Sequence, residues 1–374
     1  MDKIIQGGKI KMSVLNHGAK VVYPTLTDEE RERKTLVPTE KINIVIDSDA
    51  KNEVDDQYAI AWAAKEKERL NLLAVYAAPF SHDCFKRLTG QSVSDGAGGI
   101  TYAEDPGKGM ELSYEEIIKL YALMNEDSKG KVFKGSTKYI SDAGGAVDSE
   151  AARDLIKKAH EVEDTLYVLS IGAITNVASA IMIDPEIIKK ICVVWLGGQP
   201  LSFGHGIEFN LMQDIDAANV ILESGVPLIR VPCMTVASML NLTKDEIKDN
   251  LIGKNPLSTY LGETVLNAFA ASTVNPQLMM AIRMLYLRGR DDQPMDYLAK
   301  FETKYVSNSR IIWDIATVAC VMNPSWQCSR LVYAPIVNKD CSYGKEHLQH
   351  KIREVNYLSR DYIFGTMFNA LNNK

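Results

Sequence analysis

Short apolar runs alternate with helical patterns along most of the chain. Continuously apolar segments rich in β-branched residues predict strands that are buried on both faces. These runs are INIVID (42–47), LNLLAVYA (70–77), LYVLSI (166–171), ICVVWL (191–196), VPLIRVP (226–232) and LVYAPIV (331–337). Helical patterns lie between or beside them, for example SEAARDLIKKAHEV (149–162) and DAANVILES (216–224). This alternation predicts an α/β fold, with a mostly parallel open sheet and helices on both faces, as in a Rossmann-like core.

Residues 1–40 form a predicted N-terminal extension. The charge run TDEERERK (27–34) within it is typical of a solvated helical face, and Pro38 closes the segment. Residues 41–374 contain no internal repeat, low-complexity tract or clear linker. A single domain over 41–374 is therefore predicted.

Two regions depart from the regular alternation. Residues 82–110 are rich in Gly, Ser and Asp and predict a long loop, which in a compact domain is usually functional. Residues 243–305 predict helices, with breaks at Asn255-Pro256 and Asn275-Pro276.

Composition narrows the classes of partner. The chain has 374 residues, is 46% hydrophobic and 24% charged, and carries a formal net charge of -6. This acidic balance argues against nucleic acid or an anionic membrane as the main partner. Six cysteines without C-x-x-C spacing indicate reduced thiols. With no apolar run near the ~20 residues of a membrane span and no signal-peptide pattern, a cytoplasmic location is expected.

Polar residues recur where the predicted strands end. They follow four strands: Asp47 and Asp49; Phe80 to Asp83; Gly172 and Thr175-Asn176; Gly197-Gly198 and then Glu208-Phe209-Asn210. Ligands of open parallel sheets bind at the carboxyl ends of strands. The pattern therefore predicts one polar site that is built from several loops.

The most unusual segment is IVIDSDAKNEVDDQ, which places five carboxylates within ten residues: Asp47, Asp49, Glu53, Asp55 and Asp56. Acidic residues at a helix N-terminus capped by Asn52 would explain the tandem pair. They would not explain Asp47 and Asp49 at the end of a buried strand. Crowded carboxylates are relieved by protonation or by a bound cation, and ligand sets of oxygen alone suit Ca²⁺ or Mg²⁺. A divalent-cation site is the favoured interpretation.

Other enzyme classes share part of this motif. D-x-D begins the motif of haloacid-dehalogenase-type phosphatases and occurs in many glycosyltransferases. In the phosphatases Thr or Val usually stands where this chain has Lys51, and neither class requires the tandem Asp55-Asp56. The sequence also lacks G-x-x-x-x-G-K-[ST], G-x-S-x-G and G-x-G-x-x-G, which disfavours the common nucleotide-binding and acyl-transfer classes.

Several motifs together resemble one family. DSDAKNEVDD after a strand, IGAITNVA, WLGG and EFNLMQDIDAA occur in the order found in nucleoside hydrolases. The bacterial subgroup with D-x-D-x-x-N-E-x-D-D-Q is the most similar, and GMELSYEEI (109–117) also recurs there. The resemblance extends from about residue 41 to the C-terminus. It implies Ca²⁺-dependent cleavage of the N-glycosidic bond of a ribonucleoside or related N-ribosyl compound, by a homodimer or homotetramer.

The resemblance also implies roles for individual residues. Its Ca²⁺ ligands correspond to Asp49, Asp56, Asp314 in WDIATVA, and the carbonyl of Ile171. Asp49 would in addition be the general base that activates a metal-bound water. The ribose hydroxyls would be bound by Asp55, Glu208 and Asn210. From the residues alone, Asp314 could equally be a helix N-cap, and Glu208 and Asn210 could be turn residues.

Three departures from the family pattern leave specificity open. Five residues (50–54) precede the tandem Asp pair instead of three, so the loop must bulge and Asn52 or Glu53 could contact the sugar. Trp313 stands where many relatives have His, so His82 and His205 are the candidates for protonating a leaving base. Ala78-Pro79-Phe80 replaces a frequent Asn. A relative that binds a ribosyl or sugar ligand without hydrolysing it is the alternative function.

Overall fold

The computed structural model describes residues 21–84, 100–271 and 308–373. Within these ranges the strands are β1 Ile42–Ser48, β2 Leu70–Ala77, β3 Val132–Lys134, β4 Leu166–Ser170, β5 Ile191–Leu196, β6 Leu228–Val231, β7 Asn241–Thr243, β8 Ser309–Ile311, β9 Gln327–Val337 and β10 Tyr343–Leu358. Eight of them form one sheet in the order β3-β2-β1-β4-β5-β6-β10-β9. All neighbours are parallel except β9 and β10. The predicted mostly parallel sheet is confirmed.

Helices cover both faces of this sheet. They are α1 Asp28–Thr35, α2 Asp56–Lys65, α3 Pro106–Leu123, α4 Ile140–Ala143, α5 Glu150–Glu161, α6 Thr175–Ile183, α7 Phe209–Gln213, α8 Ile215–Ser224, α9 Lys244–Asn250, α10 Pro256–Ala271, α11 Ile315–Met322 and α12 Arg360–Asn372. None of these described helices has the length and apolar character needed to cross a membrane.

The strands separate two hydrophobic cores. In β1, Ile44 and Ile46 face a core with α2, α3, α11 and α12, whereas Val45 faces a core with α5, α6 and α8. All three side chains are fully buried. A strand buried on both faces has no polar positions to alternate with, which is why these strands read as continuous apolar runs.

Predicted and observed elements differ where the pattern is weak. The strand β10 was not predicted, because its exposed and buried positions alternate and it holds no apolar run. The helix α3 begins at Pro106, inside the expected loop 82–110, and Asp105 caps it by accepting a hydrogen bond from Lys108 N. Residues 85–99 of that loop lie outside the described residues. So does the predicted break at Asn275-Pro276.

The described part of the predicted N-terminal extension packs onto the domain. Thr27 and Glu30 form a capping box that starts α1. Leu26 and Val37, on either side of the helix, each join one of the two cores. Arg353 of β10 donates a hydrogen bond to Thr35 Oγ1 at 3.1 Å, which attaches the helix to the sheet.

One glycine allows α3 to approach the site. A Cβ atom at Gly109 would lie 2.0 Å from the carbonyl oxygen of Phe80. We expect Gly109→Ala to lower the free energy of unfolding by about 3 kcal/mol, because the backbone of Phe80 cannot move away without repacking. Gly365→Ala in α12 is the matched control: apart from the helix's own backbone and the two adjacent residues, no atom of the described residues lies within 4 Å of its Cβ position, and helix propensity should raise stability by about 1 kcal/mol. Urea unfolding of both variants measures the difference, and equal stability of Gly109→Ala and wild type would contradict the close contact.

Candidate functional site

A buried cavity lies at the carboxyl ends of the central strands. Its polar wall includes Asp49, Asn52, Glu53, Asp55, Asp56, Glu208, Asn210 and Asp314. Apolar and aromatic side chains line the remainder, among them Ile100, Leu196, Ile207, Phe209, Met212 and Trp313. The described residues thus bring three predicted parts into one site. They are the acidic cluster, the EFN segment (Glu208-Phe209-Asn210) and the WDIATVA segment (313–319).

Three carboxylates form the centre of the polar wall. Asp55, Asp56 and Asp314 each place one oxygen within 4.8 Å of the others. Asp55 and Asp56 lie at the start of α2, and Asp314 lies at the start of α11. Neither Asp55 nor Asp314 caps its helix with its side chain, so helix capping does not account for their position. The Asn52 cap considered for α2 is also not observed, since the N-cap residue is Asp55.

Hydrogen bonds hold this group in place without neutralising it. Asp55 Oδ2 accepts from Trp313 N at 3.0 Å, and Asp56 Oδ1 accepts from Ser48 Oγ at 2.6 Å. Burial raises the pKa of Asp56 to about 8, and the nearby charge of Asp55 adds to the rise. Burial likewise raises the pKa of Asp314, helped by Asp55 and Asp56. Ionising all three without a counter-charge is therefore unfavourable, and a bound cation would remove that cost.

Asp49 adds a fourth carboxylate. It is 1% exposed, and its Oδ2 atom has no hydrogen-bond partner among the described residues. A Cβ atom on Gly172 would lie 3.1 Å from the Asp49 carboxyl carbon. The absence of a side chain at Gly172 therefore allows the Asp49 carboxylate to occupy its position. Asn52 Oδ1 is also buried, and no residue in the described part of the chain donates a hydrogen bond to it. Buried oxygen atoms that lack partners and face a cavity are the donors that a hard divalent cation binds.

The first Asp of the D-x-D motif has a different environment. Asp47 Oδ1 accepts from Asn176 Nδ2 at 2.8 Å, and Oδ2 accepts from Ser170 Oγ at 3.3 Å. Asp47 is fully buried within β1 and is not among the described residues that line the cavity. It joins β1 to β4 and α6, so its contacts are structural.

The EFN segment forms another part of the cavity wall. Glu208 caps α7, with Oε1 accepting from Asn210 N and Oε2 from Gly198 N and Leu211 N. Burial raises the pKa of Glu208 to about 7, while these backbone N–H groups act in the opposite direction. Asn210 Nδ2 donates to the carbonyl of Ile171 at 3.2 Å and thereby orients the carbonyl that the family pattern assigns to the metal.

The two candidate histidines occupy different places. His82 lines the cavity and lies among aromatic rings, with centroids 5.4 Å from Phe209 and 5.6 Å from Tyr102. His205 is buried as well, but it is not among the described lining residues. Its Nδ1 accepts a hydrogen bond from Ile207 N at 3.2 Å. The structure therefore brings His82, and not His205, to the site.

The longer acidic loop is braced by residues that the sequence did not single out. Glu116 of α3 accepts from Lys51 Nζ at 3.2 Å and from Gln57 Nε2 at 3.4 Å. Gln57 Nε2 also donates to the carbonyl of Ala50 at 2.5 Å. Glu116 belongs to the GMELSYEEI segment. The joint occurrence of that segment and the acidic motif in one family was the sequence signal that could have indicated this contact. Arg310 forms an ion pair with Glu53, and no sequence pattern indicated this contact.

The fold and the cavity define an α/β protein with a candidate cation site at the carboxyl edge of a parallel sheet. The profile of the inosine-uridine preferring nucleoside hydrolases matches residues 92–356, which is more than half of the chain. The chain belongs to the nucleoside hydrolase family.

Individual relatives are more distant. A pyrimidine-specific ribonucleoside hydrolase RihA of Escherichia coli O1:K1 / APEC is 29% identical over 112 residues, which are 29% of this chain and 36% of that protein. A probable uridine nucleosidase 2 of Arabidopsis thaliana is 28% identical over 137 residues, covering 35% of this chain and 42% of that protein. The chain thus spans less than half the length of these curated relatives.

Solved structures match over nearly the whole length. The plant nucleoside hydrolase PpNRh1 aligns with a TM-score of 0.61 and 15% identity, covering 90% of this chain and 100% of that one. A purine-preferring ribonucleoside hydrolase from Gardnerella vaginalis also gives a TM-score of 0.61, with 17% identity and coverage of 88% and 98%. At such identities the likeness establishes the fold alone.

Proposed function

We propose that this protein hydrolyses the N-glycosidic bond of a ribonucleoside or related N-ribosyl compound in a Ca²⁺-dependent reaction. The observation that carries the proposal is the convergence of four buried aspartates on one cavity, with an oxygen of Asp49 to which no described residue donates a hydrogen bond. Membership in the nucleoside hydrolase family supports the same reaction.

The residues present fit a hard divalent cation. Asp49, Asp56, Asp314 and the carbonyl of Ile171 would hold Ca²⁺, since all four line the cavity and offer oxygen. Bound there, Ca²⁺ would lower the pKa of a water molecule and bind ribose hydroxyls. Asp55, fixed by Trp313 N, is assigned to a ribose hydroxyl.

The chain's own groups would carry out the chemistry. Asp49 would accept the proton of the attacking water as general base. The surrounding carboxylates would stabilise the positive charge that develops on the sugar in an oxocarbenium-like transition state. Asn52, Glu208 and Asn210 would bind the remaining sugar hydroxyls, consistent with their place on the polar wall.

The leaving base would occupy the apolar part of the cavity. Phe209, Met212 and Trp313 offer it apolar and aromatic surfaces. His82, beside Phe209, would donate a proton to the departing base. His205 would act on the site only through the backbone of Ile207, so we place it second.

Ribose release from a panel of purine and pyrimidine nucleosides tests the proposal. We expect activity on at least one nucleoside, its loss in the presence of a chelator, and its recovery when Ca²⁺ is restored. Absence of turnover at every Ca²⁺ concentration would contradict a nucleosidase. Ca²⁺-dependent thermal stabilisation with ribose binding but no turnover would instead favour the non-hydrolytic relative.

Assembly and location are two further proposals. The family resemblance favours a homodimer or homotetramer, which light scattering of the purified protein can test. A cytoplasmic location stays a prediction from the sequence, and fractionation of the source cells can test it.

A further inference from the structure

A buried ion pair forms part of the acidic wall. Arg310 Nη2 lies 2.9 Å from Glu53 Oε2, and the two side chains are 3% and 4% exposed. Removing two charges from water costs about as much as their attraction returns, so such a pair adds little stability by itself. Its position beside the candidate cation site suggests that the pair affects cation binding instead of stability.

The pair joins the two chain segments that build the cluster. Glu53 lies two residues before Asp55, and Arg310 lies four residues before Asp314. Asp55 also accepts the hydrogen bond from Trp313 N, so the segments are fixed to each other twice. The Arg310 guanidinium therefore stands at the boundary of the four-aspartate cluster.

Arg310 places a positive charge beside these acidic groups. The four aspartates carry four negative charges when ionised, and a divalent cation offsets two of them. An arginine side chain remains protonated even when buried, so its positive charge is permanent. At short range and in a poorly hydrated site, one such charge changes the interaction of a neighbouring cation substantially.

We propose that the Glu53–Arg310 ion pair sets the cation affinity of the aspartate cluster. Arg310 limits the repulsion among the aspartates before a cation binds and opposes the cation once it is bound, whereas Glu53 holds the guanidinium in place and offsets it. Both are positioning residues for this role, not metal ligands. The inference rests on the proposed cation site.

Calorimetric titration of the full-length protein with Ca²⁺ tests this, because the two single variants should change the affinity in opposite directions. Glu53→Gln removes one negative charge beside the cation site and should weaken Ca²⁺ binding about tenfold. Arg310→Gln leaves an additional carboxylate and should strengthen Ca²⁺ binding about tenfold, although the calcium-free protein becomes less stable. The double variant, which has the wild-type net charge, should bind Ca²⁺ within about threefold of wild type.

Two further variants complete the design. Arg310→Lys keeps the charge and should bind Ca²⁺ nearly as wild type does, which allows a test even if Arg310→Gln fails to fold. Arg153→Gln is the matched control, because Arg153 of α5 makes an exposed ion pair with Asp148. The same change of charge at this position should leave Ca²⁺ binding unaltered.

The outcomes separate this inference from the proposed function. Weaker Ca²⁺ binding in both single variants would show that the pair matters only for shape and would overturn the inference. Loss of binding in Arg310→Lys would overturn it as well. Wild-type protein that binds no Ca²⁺ would overturn the cation site and this inference together. If the affinities change in opposite directions but no nucleoside is cleaved, the inference stands and the proposed hydrolysis fails.

Discussion

Asp49→Asn is expected to reduce kcat/KM for an N-ribosyl substrate by at least about a thousandfold, because it removes both the proposed general base and a proposed anionic ligand of the cation. The fold should be unaffected. Within the ranges that the structure describes, Asp49 Oδ2 accepts no hydrogen bond, so the exchange of a carboxylate for an amide of the same shape breaks no described contact at this atom. It also relieves a carboxyl group whose pKa is raised by burial and by the neighbouring aspartates.

The matched control is the same substitution two residues earlier. Asp47 accepts hydrogen bonds from Asn176 and Ser170 and does not belong to the described cavity lining. Asp47→Asn should therefore lower the free energy of unfolding by about 1–3 kcal/mol, while the folded protein keeps its Ca²⁺ affinity. Steady-state kinetics, circular dichroism and calorimetry on both variants separate the two effects. Wild-type turnover by Asp49→Asn would remove Asp49 from the mechanism.

Saturating Ca²⁺ is expected to raise the unfolding temperature, and Asp314→Asn should abolish that rise. A ligand at a hundred times its Kd stabilises the native state by about 2.7 kcal/mol, which for a chain of this length corresponds to a shift of about 3 °C. The physical reason is the repulsion within the cluster, where burial raises the pKa of Asp56 to about 8 and also raises that of Asp314. A cation replaces that repulsion with attraction.

The pH dependence of this shift has a definite sign. Protons compete with the cation for the carboxylates, so the Ca²⁺-induced rise should be largest above about pH 8 and shrink as the pH falls below it. Differential scanning fluorimetry with Ca²⁺ and with a chelator measures the shift. Asp361→Asn, an exposed residue at the start of α12, is the control and should respond to Ca²⁺ as wild type does. A full Ca²⁺ response in Asp314→Asn would exclude Asp314 as a ligand.

The sequence predicted the central sheet well because burial on both faces leaves a continuous apolar signal. β2 and β5 were predicted at their observed bounds, and both cores are built on such strands. β10 was not predicted because a strand that mixes buried and exposed positions carries no apolar run. The start of α3 was missed because Pro106, Gly107 and Gly109 resemble a loop, although Gly109 is needed for the close approach to Phe80.

The candidate site was predictable in its ligand types but not in its supporting contacts. Motif order pointed to Asp49, Asp56 and Asp314, which the structure places around one cavity. Only the family resemblance distinguished Asp49 from Asp47, because the physical difference arises where β1 ends at Ser48 and the chain turns into the cavity. Arg310 could not be predicted, since its partner lies 257 residues away and no local pattern marks the pair.

The link between Asp55 and Trp313 has a consequence for how the protein acquires its site. These residues are 258 positions apart, so the two halves of the aspartate cluster meet only after nearly the whole domain has been synthesised. Contacts of such large sequence separation form late, because the loop between them has to be closed first. Cation binding would then indicate that folding is complete. A nascent chain that ends before α11 would expose the acidic loop but would lack the second half of the aspartate cluster that is needed to bind a cation.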